Sequence, residues 1–144
     1  MNGYLLDTNV VSEIMRTSPN PNVIRFLDSN EHLWISTIVL HELEFGLQAM
    51  PVGRKQSALH NSLARFSEQY KNRILPICRD SAIQAASLRV QSRKSGRTLE
   101  LGDALIAGAA SANHLVLATR NLKDFEGLSI DILNPWQIDD RAAS

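Results

Sequence analysis

The sequence predicts an α/β fold in three layers, with a short, mostly parallel sheet covered on both faces by helices. Three observations carry this expectation. Short apolar runs alternate with longer stretches of helical periodicity along the whole chain. Several runs stop abruptly at helix-capping residues, as in Asp7-Thr8-Asn9, Ser36-Thr37 and Thr119-Arg120-Asn121. No internal repeat, linker or low-complexity tract interrupts the pattern. Strands that alternate with helices need crossover connections, and crossovers make parallel neighbours buried on both faces.

Tyr4-Leu5-Leu6 is the first strand, and Asn9 to Met15 a short helix that Thr17-Ser18-Pro19-Asn20-Pro21 breaks. Asn20 reads as an N-cap with Pro21 at the first helical position. Val23, Ile24, Phe26 and Leu27 give this second helix its apolar face, and Asp28-Ser29-Asn30 ends it. Leu33-Trp34-Ile35 is the second strand. A helix from Ile38 to Met50 follows, with Leu40, Leu43, Leu47 and Met50 as its buried stripe. Gly46 inside it costs about 1 kcal/mol relative to Ala, which points to a close contact there.

Arg54 to Tyr70 is a long amphipathic helix with Leu59, Leu63 and Phe66 inward. Ile74-Leu75-Pro76-Ile77 is a strand whose proline marks an end or an edge. Asp80-Ser81 caps the next helix, which carries Ile83, Ala86 and Val90 and finishes in the basic run Arg89, Arg93, Lys94 and Arg97 around Gly96. The helix Ala104 to Ala112 is built of Ala, Gly and Ile, so it can pack tightly and centrally. Leu115-Val116-Leu117-Ala118 is the clearest strand, and Ile130 to Leu133 the last. The domain is expected over residues 1–136, closed by Asn134-Pro135-Trp136, with 137–144 as a C-terminal tail.

Composition excludes several classes. The chain has 144 residues, enough for one domain with a substantial core. Fifteen basic residues balance fifteen acidic ones, so net charge gives no sign of a nucleic-acid partner. The single Cys78 rules out an internal disulfide and a Cys-rich metal site, and its neighbours Pro76 and Ile77 point to a buried thiol. Neither a signal peptide nor a membrane-spanning run is present, and a cytoplasmic protein is the default expectation.

The topology then places acids together. Asp7 follows the first strand, and Asn121 and Asp124 follow the Leu115 strand. Strand ends lie at the carboxyl edge of the sheet, where open α/β folds bind ligands. Glu42, about one and a half turns into its helix, leans back toward that edge. Asp103 reaches it if its helix runs antiparallel to the strand it feeds. Each acid also has an ordinary use: Asp7 as a helix cap, Asp103 at a helix N-terminus, Asp124 in a turn, Glu42 in an ion pair. Carboxylates that share a pocket repel one another unless a cation neutralises them. With no Cys or His cluster, a hard divalent ion such as Mg²⁺ suits them, and such ions support hydrolysis of phosphodiesters. The histidines read as structural or solvated; His41 points about 100° away from Glu42 around the helix. Arg93, Lys94, Arg97 and Arg120 could rim the pocket and hold a phosphate backbone, or simply face solvent.

These residues carry a resemblance. Leu5-Leu6-Asp7-Thr8-Asn9, Ser36 through Glu42-Leu43 with Gly46, Gly102-Asp103-Ala104-Leu105-Ile106-Ala107, and Ala118-Thr119-Arg120-Asn121 with Asp124-Phe125 resemble the PIN-domain ribonucleases. Within that family the chain looks most like the VapC or FitB type of toxin from bacterial toxin–antitoxin pairs, and Asn134-Pro135-Trp136 looks like the FitB-type subgroup. The resemblance covers nearly the whole chain, in order. It implies a PIN-like α/β/α sandwich with a sheet of about five strands. It implies Mg²⁺- or Mn²⁺-dependent cleavage of RNA, with Asp7, Glu42 and Asp103 as metal ligands and Asn121 at the fourth catalytic position. Asn121 adds no charge there, and Asp124 is a further possible ligand. Thr8, Asn9 and Thr119 would orient carboxylates or water. A homodimer, a cognate antitoxin, and promoter DNA reached only through that antitoxin are also implied.

Rival readings fit less well. A phospho-acceptor receiver domain wants paired acids after the first strand and a Lys after the last, and Asn2-Gly3 and Thr119-Arg120 do not supply these. A haloacid dehalogenase-type phosphotransferase wants an Asp where Asn9 stands. A catalytically weak module that binds RNA or an antitoxin is the alternative that the missing fourth acid leaves open.

Overall fold

The structure, a computed structural model, describes residues 2–137. Its sheet has the strands β1 (Tyr4–Leu6), β2 (Leu33–Ser36), β3 (Ile74–Leu75), β4 (Val116–Ala118) and β5 (Ile132–Leu133). The spatial order is β3-β2-β1-β4-β5, and every pairing is parallel. The first strand is therefore the central one. Leu5 stands beside Trp34 on one side and Leu117 on the other, and both Leu5 and Leu6 are fully buried. From β1 the chain moves outward first to one side and then to the other. That reversal opens a crevice at the carboxyl ends of β1 and β4.

Helices α1 (Thr8–Ile14), α2 (Pro21–Asp28), α3 (Thr37–Ala49), α4 (Arg54–Gln69), α5 (Arg79–Lys94), α6 (Leu101–Ala112) and α7 (Leu122–Phe125) complete the fold. A single 3-10 turn, Pro135–Gln137, follows β5. The caps explain several starts. Asn20 Oδ1 accepts from the Asn22 backbone N–H at 2.8 Å, with Pro21 opening α2. Ser36 Oγ accepts from the Val39 N–H and starts α3. None of the described helices is long and apolar enough to cross a membrane.

Three expectations need correction, and α5 packs by a face that its apolar residues do not mark. The face of α5 that packs inward is Ser81, Ala85, Leu88 and Ser92; Ile83 and Val90 are 53% and 51% exposed, and Ala86 is exposed too. The reason is close contact with α6. A Cβ on Gly108 would lie 2.4 Å from the Ser81 carbonyl oxygen, so the two helices run close where Ser81 and Ala85 face α6. On α3, Val39 and Leu47 are buried, whereas Leu40, Leu43 and Met50 are half-buried. Gly46 has open space around it, so no close approach requires it. Cys78 is exposed at the start of α5, because Pro76 ends β3 and turns the chain outward. Of the expected tail, only Gln137 lies within the described residues.

Candidate active site

Asp7 is both a cap and a member of a charged cluster. It sits at the end of β1 and is buried. Its Oδ1 accepts from the Thr8 backbone N–H at 2.8 Å, which starts α1. Its Oδ2 accepts from the Thr119 hydroxyl at 2.8 Å and from Asn9 Nδ2 at 3.3 Å. Thr119 follows β4 and is fully buried; its Oγ1 accepts in turn from the Asn121 N–H at 3.1 Å. The side chain of Asn9 also accepts from the Arg120 N–H at 3.2 Å. The ends of the two adjacent strands are thus tied together through one carboxylate.

Glu42 arrives from the second turn of α3. Thr8 donates its hydroxyl to Glu42 Oε2 at 2.5 Å. The other oxygen, Oε1, lies against Gly102 at the start of α6. Asp103 comes from that same first turn, so α6 does run antiparallel to β4. Asp7, Glu42, Asp103 and Asn121 all line one open cavity of about 480 Å³, together with Thr8, Asn9, Arg16, Arg120 and Trp136. Asn121 occupies the N-cap position of α7 without using its side chain as a cap.

The electrostatics show the strain of this assembly. Burial raises the Asp7 carboxyl above its ordinary range, against the hydrogen bonds from Thr119, Thr8 and Asn9, and the charge of Glu42 raises it further. Asp103 is pushed up to about 6, first by burial and then by Asp7, Asp124, Glu42 and Glu100. Among the described residues the ion pairs are Arg16–Glu13, Lys71–Glu68 and Arg97–Glu126, and none reaches Asp7, Glu42 or Asp103. The donor set is hard and anionic, and although Arg16 and Arg120 share the cavity wall, none of the three carboxylates is ion-paired among the described residues, which suits a divalent cation with oxygen ligands. No three His, Cys, Asp or Glu side chains among the described residues yet converge on one ion-sized point.

The basic residues divide. Arg120 lines the acid cavity, whereas Arg93 and Arg97 line a separate one beside Arg89. Arg97 braces α7, donating to the carbonyls of Lys123 at 2.8 Å and Glu126 at 3.1 Å. Lys94 is exposed at the end of α5 and lines neither cavity. Asp124 acts on Asp103 through its charge but is not among the cavity walls. A larger groove of about 930 Å³ opens beside the acids, between α1, α3 and α4. Its lining includes Met15, Leu43, Leu47, Met50, Leu59 and Leu63, and of the clustered acids only Glu42.

Sequence reasoning missed Glu13, Arg16, Gly102 and Trp136 as parts of this neighbourhood. Glu13 is buried, with its Oε2 accepting from the Asn20 N–H at 3.1 Å. An acid on a short helix gives no sign of that.

The PIN domain family model matches residues 4–129. The chain is 36% identical to the VapC ribonuclease Y4jK of Sinorhizobium fredii, over 92% of this chain and 97% of that protein. It superposes on FitAcB from Neisseria gonorrhoeae with a TM-score of 0.85 at 33% identity, covering 94% and 99% of the two chains. It also matches VapBC2 from Rickettsia felis, solved bound to a DNA fragment from the promoter, with a TM-score of 0.77 at 26% identity over 92% and 98%. A parallel sheet centred on β1, acids gathered at the β1–β4 crevice, and these likenesses lead to one assignment: the chain belongs to the PIN-domain family, among its VapC and FitB relatives.

Proposed function

We propose that this protein is an endoribonuclease that depends on Mg²⁺ or Mn²⁺ and serves as the toxin of a toxin–antitoxin pair. The observation that carries the reading is the gathering of Asp7, Glu42 and Asp103 on one cavity, with no ion pair to any of the three among the described residues. These three carboxylates would hold the ion, with the neutral amide of Asn121 beside them. Bound there, the ion would lower the pKa of a water and offset charge on the phosphodiester. Thr119 and Asn9 hold Asp7 in one orientation, and Thr8 does the same for Glu42. Fixing ligands through their hydrogen-bond partners keeps a site ordered before the ion arrives. Arg120 offers a positive rim to the flanking phosphate.

The relative named a VapC ribonuclease supports the ribonuclease, and VapBC2, solved bound to a promoter DNA fragment, supports a protein partner; contact with promoter DNA through that partner is part of the proposal. The homodimer follows from the family resemblance. A cleavage assay tests the enzyme directly. Wild-type protein should cut single-stranded RNA with Mg²⁺ or Mn²⁺ and stop in EDTA. Asp7→Asn should lose at least about 100-fold, as expected when a ligand central to a metal-dependent step is removed. Co-expression tests the toxin role: growth arrest by this chain should be relieved by the protein encoded beside it.

One observation favours a second reading. The acids do not converge on an ion-sized point, and Asn121 supplies no fourth charge. A catalytically weak module that binds RNA or an antitoxin would show binding unaffected by EDTA and no cleavage with either metal.

A further inference from the structure

Trp136 and Arg120 form a stacked pair on the rim of the acid cavity, and nothing in the hydrolysis proposed above uses the indole. The guanidinium carbon of Arg120 lies 5.2 Å from the centre of the Trp136 ring. Both side chains line the same cavity as Asp7, Glu42 and Asp103. The pair is anchored from both sides. The Trp136 N–H donates to Asn134 Oδ1 at 2.9 Å, and its carbonyl accepts from Asn22 Nδ2 at 3.0 Å. These bonds fix the backbone of the 3-10 turn and leave the ring half-buried. The Arg120 backbone N–H donates to Asn9 Oδ1, and the amide nitrogen of Asn9 donates to Asp7. One side chain therefore sets the spacing between the stacked pair and the acids.

A guanidinium lying over an indole makes a flat, positively charged surface with N–H donors along its edge. Unpaired bases stack on such surfaces, and the edge donors suit a phosphate. We propose that the Trp136–Arg120 pair is a nucleobase platform. It stacks the unpaired base next to the scissile phosphate and holds that nucleotide's phosphate on the guanidinium edge. The proposal rests on the nuclease reading of the acid site. Because every base has a stacking face, the platform selects single-stranded RNA over duplex rather than a particular sequence.

The test uses fluorescence. The chain has two tryptophans, so Trp34→Phe leaves Trp136 as the sole indole. The Trp34 indole N–H is buried without a partner among the described residues, so this change removes no hydrogen bond. In EDTA, where cleavage is stopped, a single-stranded RNA oligomer should quench Trp136 emission. The same oligomer built with abasic riboses should bind roughly ten-fold more weakly and quench little, in line with the usual worth of one stacked base. With Mn²⁺ present, Trp136→Leu should raise KM about ten-fold with little change in kcat, and Trp136→Phe should restore most of it. Equal quenching by the abasic oligomer, or an unchanged KM in Trp136→Leu, overturns the platform while leaving the nuclease intact. Quenching by a protein partner and not by RNA overturns it as well. Absence of cleavage by the wild type defeats the nuclease reading separately, because the EDTA titration reads base stacking on its own.

Discussion

A Cβ placed on Gly102 would stand 2.8 Å from Glu42 Oε1. This glycine in the first turn of α6 is therefore what lets the α3 carboxylate lie against the start of α6. Gly102→Ala should displace that carboxylate and cut RNA cleavage about ten-fold or more, since sub-ångström placement of such groups matters. Stability should hold, because Ala is about 1 kcal/mol better than Gly within a helix and the displaced atom ends a flexible side chain. Thermal melts set beside cleavage rates check both halves. Equal activity in the variant would remove Gly102 from the site's design.

Thr119 links the β4 end to Asp7. Replacing it with Val keeps the shape and deletes the donor to Asp7 Oδ2. Asn9 Nδ2 still reaches that oxygen, but the Asn121 N–H loses its acceptor as well, and such losses in a buried site cost about 1–3 kcal/mol. The variant should melt several degrees lower, and the Asp7 carboxyl, already raised by burial, should titrate higher still. Carboxyl titration followed by NMR would show the shift, and Thr119→Ser should recover most of the loss.

The acid cluster predicts an unusual pH dependence in metal-free protein. Unfolded Asp103 titrates near 3.8, and folded Asp103 near 6. Between those values the folded chain holds a proton that the unfolded chain has released. By linkage, this group's contribution is fully present below pH 3.8 and declines as pH rises through 6. Asp103→Asn copies the protonated form, so it should match the wild type at low pH and exceed it at neutral pH. The half-exposed carboxylate is screened by solvent, so the expected gap is about 1 kcal/mol. Denaturant midpoints for the two proteins across this range measure it. A gap that widens toward low pH would reverse the sign and refute the account.

The seam between α5 and α6 gives a control far from the chemistry. A methyl on Gly108 would meet the Ser81 carbonyl and the Ala85 backbone nitrogen at 2.4 and 2.7 Å. Neither is a flexible tip, so the helices must part. Gly108→Ala should cost about 1–3 kcal/mol by overpacking, read as a lower denaturant midpoint.

Much of the site was legible because topology does the placing. Asp7 and Asn121 needed only the recognition of two strand ends, and Asp103 only the direction of α6. Glu42 was harder, because a side chain in the second turn of a helix reaches the sheet edge only where a glycine makes room. The phase of α5 was not legible, because its apolar Ile83 and Val90 face outward while Ser81 and Ala85 lie against Gly108 of α6. Trp136 gave no signal of its place on the cavity rim, since its stack with Arg120 joins two turns that are close only after folding.

The shared ion is the centre of the account, and calorimetric titration of Mn²⁺ tests it most directly. Wild-type protein should bind Mn²⁺, and Asp7→Asn, Glu42→Gln and Asp103→Asn should each weaken binding by about ten-fold or more, as loss of one ligand of a common site requires. Folded variants that bind Mn²⁺ as tightly as the wild type would contradict it.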